Sequence, residues 1–94
     1  MSTDSVVPTI RSWLQDRLAD TYGRAAIVRN GVTYTPFKSF DSAGLHVTIY
    51  RSTSEYYVEA GSTLIGKYAL NITWDDLLTY IAQDYARIMQ QPRT

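Results

Sequence analysis

The 94 residues carry nine Lys and Arg against nine Asp and Glu, a single histidine and no cysteine. Zero formal charge, no basic run and halves that differ by two charge units leave little of the phosphate-neutralising charge that carries nucleic-acid affinity. Without cysteine there is no disulfide, thiolate nucleophile or Cys-ligated zinc, which suits a reducing cytoplasm.

An apolar fraction of 45% fits a folded chain, and at this length one domain spanning residues 1–94 is expected, burying roughly 60 to 70% of its unfolded surface. No stretch approaches the roughly 18 apolar residues of a membrane span, and the N-terminus has no basic segment leading into a long apolar run. A cytoplasmic location without a membrane partner is therefore expected. Asn71-Ile72-Thr73 matches the glycosylation triplet, but without a secretion signal it carries no weight.

The first predicted element is a helix from about Ser5 to Tyr22. Val6, Val7, Ile10, Trp13, Leu14 and Leu18 recur at a helical period, Pro8 fits the first turn, and Gly23 supplies a stop. On a helical wheel Arg17 falls inside the apolar stripe, so its stem is expected over apolar surface with the head in water, on Trp13, or in a partner.

Ala25 to Arg29 and Val32 to Tyr34 flank Asn30-Gly31, two residues that tolerate the positive φ angles of a type I′ turn, and so predict a β-hairpin. Thr35 to Gly44 reads as an edge strand or a packed loop, because Pro36 cannot donate to a ladder and Asp41-Ser42-Ala43-Gly44 has turn composition. Leu45 to Arg51 alternates, with Leu45, Val47 and Ile49 on one face and His46, Thr48 and Tyr50 on the other. Glu55 to Ala60 and Thr63 to Leu70 follow across short turns and complete a three-strand meander, within which Gly66 marks a bulge or close packing.

A second helix starts at Thr73 as N-cap, with Ile72 and Leu77 placed as a hydrophobic staple and Asp75 and Asp76 in the first turn. Trp74, Leu77, Leu78, Ile81, Tyr85, Ile88 and Met89 share its apolar face, and Pro92 marks its end. The elements together predict an α+β fold, an antiparallel sheet of about five strands with an N-terminal and a C-terminal helix on one face and the other face open.

Signals for chemistry are weak. One histidine cannot build a paired-His metal site, no serine stands in a nucleophile frame, and the five glycines are scattered rather than gathered into a phosphate cradle. No metal, cofactor or catalytic residue is assigned, and no enzyme activity is expected. Glu55 and Glu59 share a strand face with Tyr57 between them, but four residues along a strand separate them by about 13 Å. That is too far for a cooperating carboxylate pair.

Eight tyrosines are the compositional feature that stands out, and tyrosine, with its large rigid ring and polar tip, is enriched in protein interfaces. Tyr50, Tyr57, Tyr80, Arg51 and Arg17 are the candidate partner-binding residues of a non-catalytic module that regulates or inhibits a protein partner. Inhibitors encoded by phages or mobile elements, antitoxins and assembly factors share this profile, and a homo-oligomer is compatible with it. The alternative is a dimeric nucleic-acid-binding regulator that collects Arg29, Lys38, Arg51 and Lys67 on one surface, a reading the neutral charge disfavours.

Overall fold

The computed structural model describes residues 6–21, 25–42 and 45–89. The predicted stops at Gly23 and Pro92, the Ala43-Gly44 part of the predicted turn, and the predicted side-chain placements of Leu45 and Met89 lie outside that description. The chain runs α1 (Val7–Arg17), β1 (Ala19–Asp20), β2 (Ile27–Arg29), β3 (Val32–Ser42), β4 (Leu45–Arg51), β5 (Glu55–Ala60), β6 (Thr63–Ala69) and α2 (Trp74–Met89). This is the expected α+β fold. The sheet is antiparallel with the order β1-β3-β4-β5-β6, and β2 also pairs with β3.

The sheet has six strands rather than five because α1 ends earlier than its apolar period. Leu18 turns to extended backbone (φ −62°, ψ 130°) while its N–H still donates to the Leu14 carbonyl at 3.1 Å. Ala19 and Asp20 then pair with Ser39 and Lys38 of β3, and the Lys38 ammonium forms an ion pair with Asp20. Ladder bonds and that charge pair replace the last predicted helical turn. Arg17 becomes the final helical residue, exposed at the end where a cation suits the helix dipole.

The hairpin forms as predicted, with Asn30 at φ 53° and Gly31 at φ 78° between the paired residues Arg29 and Val32. The segment after it is strand rather than loop: β3 runs on through Pro36 to Ser42, and this segment has a second neighbour only at Lys38 and Ser39, so Pro36 stands at an open stretch of edge. Pro36 is tolerated because it falls between the two short ladders on that side of β3, β2 against residues 32–34 and β1 against Lys38 and Ser39. On the other side the register with β4 shifts between Pro36 and Lys38, leaving Phe37 as the extra residue of a bulge.

One sheet face carries the core. Val47 and Ile49 of β4, Val58 and Ala60 of β5 and Phe40 of β3 are buried against Ile10 and Leu14 of α1 and Leu77, Leu78, Ile81, Ala82, Tyr85 and Ala86 of α2. Each large aliphatic side chain so buried contributes about 1.5–3 kcal/mol. The start of α2 follows the predicted pattern: Thr73 Oγ1 accepts the Asp76 N–H at 3.1 Å, and Ile72 packs on the core beside buried Leu77. Arg11 ties the helices together by donating from Nε to Thr79 Oγ1 at 2.9 Å. Trp74 departs from its predicted core position; standing at the first helical residue, it meets Phe37 instead of the core centre and stays 39% exposed.

The other face is not open, as the element order alone suggests. In a flat sheet β2 would lie three strand spacings, about 14 Å, from β5. Arg29 Nε nevertheless stands 3.5 Å from Glu59 Oε2, and the Tyr34 and Tyr57 ring centroids are 4.6 Å apart. The β2–β3 hairpin therefore leans across this face from the bend at Pro36 and Phe37. Tyr57 is only 6% exposed under it, which removes it from the outward-facing tyrosines.

Near the far edge, Val58 pairs with Gly66 and Glu59 with Leu64, so Ile65 is an extra, buried residue of a second bulge. A Cβ on Gly66 would stand 2.7 Å from Cζ of Tyr68, whose ring crosses the glycine on its way to α2. The two alternatives expected at Gly66, close packing and a bulge, thus coincide there. Gly66→Ala should lose about 1–3 kcal/mol of unfolding free energy from overpacking. In a Tyr68→Ala background the same change should cost little; an undiminished penalty in denaturant titrations of that double variant would rule out the ring as its cause.

Candidate functional site

Among the described residues, the tyrosines divide between the two sheet faces. Under the hairpin, the Tyr34 hydroxyl donates to Glu55 Oε2 at 2.6 Å, Tyr50 stands edge-on to Tyr57 with centroids 6.3 Å apart, and Lys67 Nζ lies 5.9 Å from the Tyr57 centroid. Glu55 and Glu59 flank Tyr57 as the alternation predicts, and each has an internal partner, Tyr34 for one and Arg29 for the other. The hydrogen bond to the Glu55 carboxylate, followed by burial, pushes the Tyr34 phenol up to about 12. Burial and then Glu59 raise Tyr57. These groups satisfy one another and hold the hairpin down.

On the helix side, the Tyr68 hydroxyl donates to Asp84 Oδ2 at 2.5 Å, and Arg87 donates to the second oxygen of that carboxylate at 3.1 Å. Burial, with Asp84 next, raises the Tyr68 phenol well above its ordinary value, and burial alone raises Tyr85. Tyr80 stacks on Tyr68 (centroids 6.3 Å, planes 18° apart) and remains 49% exposed. The predicted set Tyr50, Tyr57, Tyr80, Arg51 and Arg17 is therefore not one patch. Tyr50 and Tyr57 belong to the hairpin-covered face, Tyr80 to the flank of α2, Arg17 to the end of α1 and Arg51 to the end of β4. The four cations of the nucleic-acid alternative also separate, with Arg29 and Lys67 at the covered face and Lys38 and Arg51 around Phe37.

His46 pairs across strands with Asp41, its Nδ1 2.7 Å from Oδ1, and both side chains are exposed beside a cavity of about 150 Å³. This is the singly partnered surface imidazole that the alternation of β4 suggests. Among the described residues, no three His, Asp or Glu side chains gather as a metal-ligand set.

A different surface forms around Arg51, where the last residue of β4 pairs with Thr35 just before the bulge. The bulge sets Phe37 beneath the Arg51 guanidinium, 4.5 Å from ring centroid to Cζ. Phe37 in turn meets Trp74 edge to face at 6.0 Å and lies 6.2 Å from Tyr56. Beyond Arg51 opens a cavity of about 420 Å³ walled by Thr33, Thr35, Ser52 and Thr53, and Thr33 pairs with Val28, which is 60% exposed. One connected strip thus runs from Val28 through Arg51 and Phe37 to Trp74.

Among the described residues, Arg11, Arg29, Lys38 and Arg87 have carboxylate partners and Arg51 has none. Sequence reasoning found Arg51 but not Phe37, Trp74 or Val28. The signal for Phe37 was its place after Pro36, where a break in pairing re-aims a side chain; Trp74 gave none, since its spacing matched the core stripe.

No family model, no curated protein and no solved structure is significantly similar to this chain. No helix among the described residues is long and apolar enough to cross a membrane.

The raised phenols predict an alkaline stability profile. A phenol whose folded pKa lies above its unfolded value of 10.0 contributes stability in full below pH 10, and for Tyr34 that contribution is lost as the pH rises through about 12. Denaturant midpoints should therefore fall above pH 10, with part of the tyrosinate absorbance appearing only on unfolding. In Glu55→Gln the Tyr34 phenol should titrate nearer its ordinary value. Eight tyrosines ionising together near pH 10 in the folded protein would contradict the hydrogen-bonded assignment.

Proposed function

We propose that this chain is a non-catalytic protein-binding module, a small regulator or inhibitor that acts by occupying a protein partner through the Arg51–Phe37–Trp74 strip. The observation that carries the reading is the joining of an unneutralised arginine, a half-buried phenylalanine and a half-exposed tryptophan in one connected surface. Trp and Arg are over-represented among residues that dominate binding energy, because each places a large, stiff, amphipathic group in a partner's pocket. Thr33, Thr35 and exposed Val28 extend that centre with polar and apolar rim. The covered tyrosine face serves the module by fixing the hairpin that supplies this rim. The cytoplasm fits a chain without cysteine.

The test is affinity capture from host lysate followed by reconstitution with the purified partner. Wild type should retain a stoichiometric, nuclease-resistant protein, and Trp74→Ala, shown to be folded, should bind it with a loss of about 2 kcal/mol or more, some thirtyfold. Nuclease-sensitive capture, or a partner indifferent to Trp74, overturns the proposal.

A further inference from the structure

The geometry points to the cleft beside Arg51 as a recognition pocket for a carboxylate, presented by an acidic segment of the protein partner. The inference rests on the reading of the Arg51 surface as partner-binding and names the chemistry of what enters it. Arg51 lies over the Phe37 ring at 4.5 Å, a cation–π contact that limits the swing of the side chain, and among the described residues no carboxylate pairs with its guanidinium. Fixing the donor in advance removes part of the entropy lost on binding.

Thr33, Thr35 and Thr53, each with a hydroxyl that can donate, line the same cavity, and among the described residues its lining includes no carboxylate that would compete for the guanidinium. Ser52 is spent within its own turn, where its hydroxyl accepts the Ser54 and Glu55 N–H groups at 3.1 Å. A carboxylate has two oxygens with about four lone-pair sites. The arginine fork can fill two of them in parallel and the threonines can reach the rest. One guanidinium also balances one carboxylate charge, whereas a phosphate monoester carries nearly two and is usually held by several arginines. Of the basic side chains near Phe37, Lys38 is already paired with Asp20 and does not line the cleft.

The experiment is an NMR titration of the whole chain with a blocked tripeptide centred on glutamate, its glutamine counterpart, and inorganic phosphate. The glutamate peptide should shift the Arg51 Nε–H and the amides of Thr33, Thr35 and Thr53 to saturation. The glutamine peptide should bind about tenfold more weakly, as expected for loss of a charge-assisted hydrogen bond. Arg51→Gln should abolish the difference between the two peptides. Arg51→Lys, which keeps the charge and loses the fork, should weaken glutamate binding several-fold while preserving the spectrum of the folded protein.

Shifts absent from these residues, equal affinity for both peptides, or tighter binding of phosphate would each overturn the carboxylate assignment. A captured partner that tolerates Arg51→Gln but not Trp74→Ala would sink the pocket and leave the module. Tolerance of both variants would sink the two readings together.

Discussion

Strand β3 has to serve two ladders that do not lie in one plane, and the break at Pro36 and Phe37 lets it do so. Its C-terminal part holds β1 and stays in the main sheet, where Phe40 enters the core. Its N-terminal part keeps β2 and departs with it across the opposite face. Proline removes a ladder donor where no neighbouring strand needs one, and the bulge adds the residue that bends the chain. The covered tyrosines, the Arg29–Glu59 pair and the place of Phe37 beneath Arg51 all depend on that bend.

The same break separates support from display. Tyr34, Tyr57 and Glu59 are buried and Glu55 half-buried in a layer where Glu55 accepts from Tyr34 and Glu59 pairs with Arg29, so that burying charge is tolerable because partners come with it. On the other side of the bend Arg51 has no carboxylate partner among the described residues. In the proposed reading, the internally paired underside holds the hairpin in place, and a surface held in place before binding loses less on binding.

How far the sequence revealed this depends on the range of the interaction. The Asn30-Gly31 turn, the Thr73 cap, the alternation of β4 and the tight spot at Gly66 were legible because each is decided within a few residues. The end of α1 was not, since the competitor that stops it, pairing of Ala19 and Asp20 with β3, comes from residues about 20 positions away. Tyr57 reads from the sequence as a partner-binding residue, but it is buried against Tyr34, which lies beyond an intervening strand. Arg51 could be picked out as a candidate, yet its meaning comes from Phe37 and Trp74, which only the bulge and the first residue of α2 bring together.

The margins of the sheet carry a further consequence. One side ends in strands of two and three residues, where Arg29 turns a guanidinium N–H onto the Val28 carbonyl at 3.0 Å, and the other ends in β6 with its bulge at Ile65 and the exposed Lys67. Both margins are poor templates for an added strand. On these grounds, contact between two copies through side chains is favoured over extension of one another's backbone ladder.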